Sequence, residues 1–264
     1  MKLFIQFTSI LMLLLLAGFN NPTNKGYKVK KIIIDAGHGG KDSGAVGKFS
    51  KEKDIALQLA LELGNLIKKN MGDVKVLYTR QKDEFIPIHQ RAHTANKNKA
   101  DVFISIHCNA AEKNKSAHGI EVFTMGLEKS SKNLAVTKRE NSVILIEHNH
   151  KKHYQGFDPK SPESHILFSL YQNAHTENSL KLAQHIESGF KQHTERKSRG
   201  VKQDGLLVLW QTSSPSVLVE VGFITNPEEE KYLNNKIGQH QIATAIFEGF
   251  KKYKHYIEHH NQHS

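Results

Sequence analysis

The stretch KKIIIDAGHGGKDSGAVG, residues 30–47, constrains the fold more than any other part of the chain. Ile32, Ile33 and Ile34 form a β-branched run that reads as a buried strand. Asp35 follows, and the glycines around His38 free the backbone to turn where that strand ends. An imidazole is thereby presented at a strand end, which is where open α/β sheets keep their chemistry.

The rest of the chain repeats the pattern. Ile55, Leu59, Leu63, Leu66 and Ile67 fall at helical spacing over about 53–69, with Glu52 at the helix start. A strand over 74–80, a helix over about 88–99, the strand DVFISIH ending in His107, and another strand over 118–126 come next. This alternation predicts an α/β fold, a mainly parallel central sheet flanked by helices, in a single catalytic domain over about 28–255. From Leu127 to about Arg199 no strand is legible, only helical stretches, and 147–171 reads as a helical insertion. GLLVLWQT and PSVLVEVGF resume the strands, and Asn226 before Pro227 and three glutamates reads as a helix cap. A helix over 242–256 then runs into a tail, 256–264, expected to fray.

Residues 1–20 combine Lys2, an apolar run and small residues at Ala17 and Gly18, as an export signal does. The alternative, an uncleaved anchor, meets a run shorter than the roughly 20 apolar residues of a spanning helix. Cys108 is the only cysteine, so no intramolecular disulfide can form. It reads as a small buried residue and is assigned no role. The net charge of +11 suggests an anionic partner outside the cytoplasm, cell-wall polymer or membrane surface. Nucleic acid is disfavoured by export and by the lack of aromatic interleaving or a binding motif.

With 17 histidines in the chain, finding one beside an acid means little; His118, His153, His175 and His193 are left as surface or core residues. His38 and His107 differ because each ends a β-type run. Two imidazoles and a carboxylate, Glu52, make the three-ligand set of a catalytic zinc, whereas a structural zinc would draw on several cysteines. Glu52 could equally be an acid placed by the helix dipole. Glu220, the odd acid in VLVEV, needs a partner if it is buried, and burial would raise its pKa toward that of a general base. Otherwise it is an outward acid on an edge strand. Asp35 either orients His38 or forms the turn.

IIIDAGHGGKDSGAVG, Glu52, SIHCNA and PSVLVEVGFITNPEEE, in this order, resemble the zinc-dependent N-acetylmuramoyl-L-alanine amidases of the amidase-3 type, from about Lys28 to Tyr253. The resemblance implies one zinc held by His38, Glu52 and His107, with Glu220 catalytic. It implies hydrolysis of the amide between N-acetylmuramic acid and L-alanine in peptidoglycan. Arg80, Arg91, Asn109, and Glu140 with Asn141 in KRENSVIL, are expected in structural or substrate-side positions. Likeness of the insertion to Gram-negative members implies the periplasm, and the chain is expected to be a monomer with no membrane span after signal removal. It also implies autoinhibition, with Glu147 or Glu163 of the insertion occupying the open zinc position until an activator protein displaces it. A zinc peptidase acting on crosslinks and a non-catalytic wall-binding protein are the competing readings.

Overall fold

The computed structural model describes residues 27–126, 131–169 and 175–260; the expected signal lies outside them. In chain order the elements are β1 (Lys31–Ala36), α1 (Glu52–Asn70), β2 (Lys75–Tyr78), α2 (Ile88–Lys97), β3 (Val102–Asn109) and β4 (Ile120–Met125). They continue with α3 (Ser131–Asn141), a 3-10 turn (Ser142–Ile146), α4 (His150–His153), α5 (Pro162–Ser169), α6 (Thr176–His193) and β5 (Ser198–Asp204). The last are α7 (Leu207–Trp210), β6 (Ser216–Phe223), α8 (Pro227–Asn234) and α9 (Lys236–His260).

The six strands form one sheet in the order β2-β1-β3-β6-β4-β5, parallel except where β4 meets β6. Alternation along each buried strand divides two cores. Ile32, Ile34, Ile104, Ile106, Val217 and Val219 face α1, α6 and α9. Ile33, Phe103 and Leu218 face the other side, where Ile88, Val136, Tyr154, Phe157, Phe168 and α7 close over them. The insertion therefore supplies core side chains: Phe157 packs on Phe168, and Phe168 on Trp210, at ring separations of 5.1 and 4.8 Å. The expected cap of α8 is present, with Asn226 Oδ1 accepting from the backbone of Glu228 and Glu229.

Three expectations are corrected. The strands resume before GLLVLWQT, because SRGVKQD, Ser198–Asp204, forms edge strand β5; half-solvated, it needs no apolar run and is silent to hydropathy. GLLVLW, read as a strand, instead makes the single turn α7, since a short apolar run buried all round carries no period to separate the two states. The last helix continues to His260, past the point where fraying was expected; residues 261–264 lie outside the described ones.

Candidate active site

β1 ends at Ala36, and the turn beyond it holds His38 in a left-handed conformation, φ +59°, a costly state for a residue with a side chain. Two buried arginines fix the turn through its carbonyls. Arg91 donates to Ala36 O and His38 O at 2.7 Å each, and Arg80 to Ala36 O at 2.9 Å and Gly37 O at 2.7 Å. Arg91 also donates to Asp35 at 2.8 Å. Asp35 further accepts from Thr79 at 2.5 Å and Ser105 at 2.6 Å. Burial opposes charge on Asp35, but Arg91 and the two hydroxyls outweigh it and hold the pKa below the ordinary value. Asp35 thus anchors Arg91 beneath the turn. The acid that orients His38 is Asp42, whose Oδ2 lies 2.8 Å from Nδ1 and leaves Nε2 facing inward.

Glu52 opens α1 fully buried, so the dipole alone does not explain it. Its Oε2 accepts from Ala45 N at 2.7 Å and its Oε1 from Cys108 N at 2.8 Å. The same Oε1 stands 3.0 Å from His38 Nε2 and 3.1 Å from His107 Nδ1. Two glycines let these groups approach: a Cβ on Gly37 would meet the His107 ring at 2.5 Å, and one on Gly44 would meet both Glu52 and His38 at 2.6 Å. Opposite Glu52 stands a fourth ligand-type group, Glu140 of α3. Its Oε2 is 3.3 Å from His38 Nε2 and 3.0 Å from His107 Nδ1.

The four buried residues can hold a metal ion, their donor atoms lying within 4.8 Å of one another. Donors about 2.0–2.1 Å from a tetrahedral zinc stand about 3.3 Å apart, close to the separations here. Among the described residues, His38 Nε2 and Glu140 Oε2 are buried and, despite these close approaches, make no well-aligned hydrogen bond, as atoms awaiting coordination would be. Burial disfavours charge on either ring. The carboxylates prevail, Glu52 and Asp42 holding His38 well above its ordinary pKa and Glu140 bringing His107 to about 9. Glu52 is driven down to about 2, His38 overcoming the effect of burial.

Glu220 sits in β6 beside His107 of β3 and Glu121 of β4, with no exposed surface. Arg139 Nη2 donates to its Oε1 at 3.1 Å, while Oε2 has no hydrogen-bond partner among the described residues. Burial, aided by Glu140 and Glu52 and opposed by Arg139, lifts its pKa well above the ordinary carboxylate value. Consecutive residues of α3 therefore engage the two halves of the site, Arg139 on Glu220 and Glu140 on the imidazoles. The space left above His38 and His107 is about 20 Å³, room for about one water.

The two acids expected over the metal lie elsewhere. Glu147 is buried against α2, accepting from Ile88 N at 2.7 Å and Tyr154 OH at 2.6 Å. Glu163 is exposed and bonds Ser161 at 2.7 Å. Asn109 donates to Glu121 at 2.8 Å, and Asn141 ties the end of α3 to Gly205 O and Leu207 N at 2.8 and 2.9 Å. Asp42 and the metal-facing position of Glu140 escaped the sequence reading. The signals were an acid four residues after His38 and a glutamate beside the quoted Asn141. If His38 holds a metal, Asp42→Asn is expected to weaken its binding by roughly 10–100-fold, the usual cost of losing a ligand's supporting hydrogen bond; chelator competition measures it.

The family described as N-acetylmuramoyl-L-alanine amidase matches residues 32–252. N-acetylmuramoyl-L-alanine amidase AmiA of Escherichia coli (strain K12) is 36% identical over 251 residues, 94% of this chain and 84% of that protein. AmiC of Escherichia coli O6:H1 is 36% identical over 84% of this chain, which spans only 52% of AmiC. The crystal structure of an N-acetylmuramoyl-L-alanine amidase from Clostridium difficile 630 superposes with a TM-score of 0.65 at 30% identity, over 86% of this chain and 97% of that one. The CwlD amidase of Clostridioides difficile, solved in complex with the GerS lipoprotein, gives 0.62 at 27% identity, over 85% and 98%.

Proposed function

Because this chain belongs to the N-acetylmuramoyl-L-alanine amidase family, we propose that His38, Glu52 and His107 bind one zinc ion and that Glu220 moves the proton when peptidoglycan is hydrolysed. The bond broken joins the lactyl group of N-acetylmuramic acid to the L-alanine of the stem peptide. The observation that carries the assignment is the buried His38–Glu52–His107 constellation with Glu220 one strand away. Zinc supplies the Lewis acidity that polarises a carbonyl and brings a water's pKa toward neutrality. Asp42 keeps the His38 proton on Nδ1, so Nε2 offers its lone pair. Backbone N–H groups of Ala45 and Cys108 hold the Glu52 carboxylate in place. Glu220 takes a proton from the attacking water at its unpartnered Oε2 and returns it to the alanine nitrogen as the amide breaks.

On this reading the enzyme is autoinhibited, and the acid that closes it is Glu140 rather than Glu147 or Glu163. Its carboxylate would be a fourth donor beside His38, Glu52 and His107, while Arg139 donates to Glu220. Opening requires α3 to leave, and an activator protein is the agent proposed. The exposed Leu145, Ile146, Ile166 and Leu167 beside α3 and on α5 offer it an apolar surface. Removing 147–171 is a poor test, because Tyr154, Phe157 and Phe168 would leave the core with it. The reading places the mature chain, cut near residue 20, in the periplasm as a monomer on the wall. No helix of the described residues is long and apolar enough to cross a membrane.

Mass spectrometry of a purified muropeptide treated with the mature chain tests the reaction. Release of an intact peptide beginning at L-alanine, abolished by chelator and restored by zinc, is the expected outcome. Cleavage within the peptide would replace the amidase assignment with a peptidase.

A further inference from the structure

α3 separates two spaces. On one side is the small cavity over the imidazoles; on the other an open groove of about 600 Å³ runs from Arg139, which touches Glu220, past Asn109 to Arg199 and Lys202. Both of these cations come from β5 and both bond one buried carboxylate oxygen, Glu121 Oε1, at 2.6 Å from Arg199 Nε and 2.8 Å from Lys202 Nζ. Residues three apart in a regular strand point to opposite faces. Here the pairing steps from Ile120↔Ser198 to Val122↔Val201, so β5 carries an extra residue, and Gly200 takes φ +88°. This bulge re-aims Arg199 to the same side as Lys202. A Cβ on Gly200 would meet nothing within 4 Å, so the glycine serves the backbone conformation alone.

The result is two cations on one carboxylate, an excess of positive charge facing the groove. Arg199 spends only Nε on Glu121 and lies over the Phe223 ring at 5.0 Å, which holds its plane; among the described residues its two Nη groups bond no acceptor. That end of a guanidinium matches a carboxylate in bidentate fashion.

We propose that Arg199 and Lys202 form a subsite for a free carboxylate of the stem peptide, the α-carboxylate of the γ-linked glutamate that follows L-alanine. This rests on the amidase reading and adds its peptide specificity. The groove ends at Arg139, the residue that covers Glu220, and the glutamate lies one residue beyond the scissile amide on the leaving-group side. An uncharged, α-amidated glutamate would forgo the charge-assisted hydrogen bonds and leave the cations solvated.

The test is calorimetric binding of two synthetic muramoyl tripeptides, one with the free glutamate α-carboxylate and one α-amidated. The zinc-loaded mature chain carries Glu140→Ala to open the site and Glu220→Gln to prevent turnover. The free acid is expected to bind about tenfold tighter, within the range for a hydrogen bond to a charged group. Arg199→Gln or Lys202→Gln should bring the two ligands within about twofold of each other, leaving the amidated one unchanged. Each variant keeps one cation on Glu121, and its melting temperature checks that the fold survives. Equal binding of the two peptides by the parent chain, binding of neither, or an undiminished preference in both variants overturns the subsite. Hydrolysis by the Glu220-intact chain is scored separately: its failure alongside a retained preference would sink the amidase reading and leave the carboxylate subsite standing.

Discussion

Glu220→Gln is expected to lower turnover on muropeptide by roughly 10²–10⁴-fold, the worth of a positioned acid–base group, while the protein still binds one zinc. The separation follows from position, since Glu220 is on β6 and outside the ligand cluster, touching Arg139. The same substitution should raise the melting temperature at neutral pH. In an acid whose folded pKa lies above its unfolded one, the ionised form is less well tolerated in the fold. Stability is therefore lost as pH rises from the ordinary carboxylate range toward the raised value. An amide of the same shape cannot ionise and escapes that cost, at the expense of activity. Zinc analysis, differential scanning calorimetry and kinetics on one preparation check the three readouts. Lost zinc would make Glu220 a ligand, and near-normal turnover would remove it from the proton path.

Glu140→Ala should do the opposite to activity. If the open state is populated at about 1–10%, removing the plug raises kcat/KM by about 10–100-fold. On the proposed assignment His38, Glu52 and His107 should still retain one zinc. Glu140 is one of the charges that lift the Glu220 pKa, so its removal should also move the acidic limb of the pH–rate profile to lower pH. Arg139→Ala would free Glu220 but leave Glu140 on the imidazoles, and its gain should be smaller. Unchanged or reduced activity in Glu140→Ala would mean that this carboxylate belongs to the working site.

Legibility in the sequence followed physical cause. β1, β3 and β6 announce themselves because strands buried on both faces must be apolar throughout, and the groups His38, His107 and Glu220 stand out against those runs. Edge strand β5 has no such obligation, so the bulge that pairs Arg199 with Lys202 had no pattern to betray it. Asp42 and Glu140 escaped for another reason. Their roles depend on a turn with a left-handed residue and on the docking of α3, and neither periodicity nor composition reports where a helix docks. Glu147 and Glu163 lie in the insertion that the sequence marks, whereas the acid beside His38 and His107 comes from the helix before it.

The strand order also governs when this hydrolase can exist. β6 lies in the interior of the sheet, between β3 and β4, although it is the last strand to be made. Until residues 216–223 arrive, β3 and β4 have no partner between them, and such long-range pairing is a slow step in assembly. Glu220 is carried by that closing strand. On the proposed assignment, a chain still being synthesised thus lacks both its finished sheet and the glutamate that would move the proton, and hydrolytic capacity arises only with the complete fold.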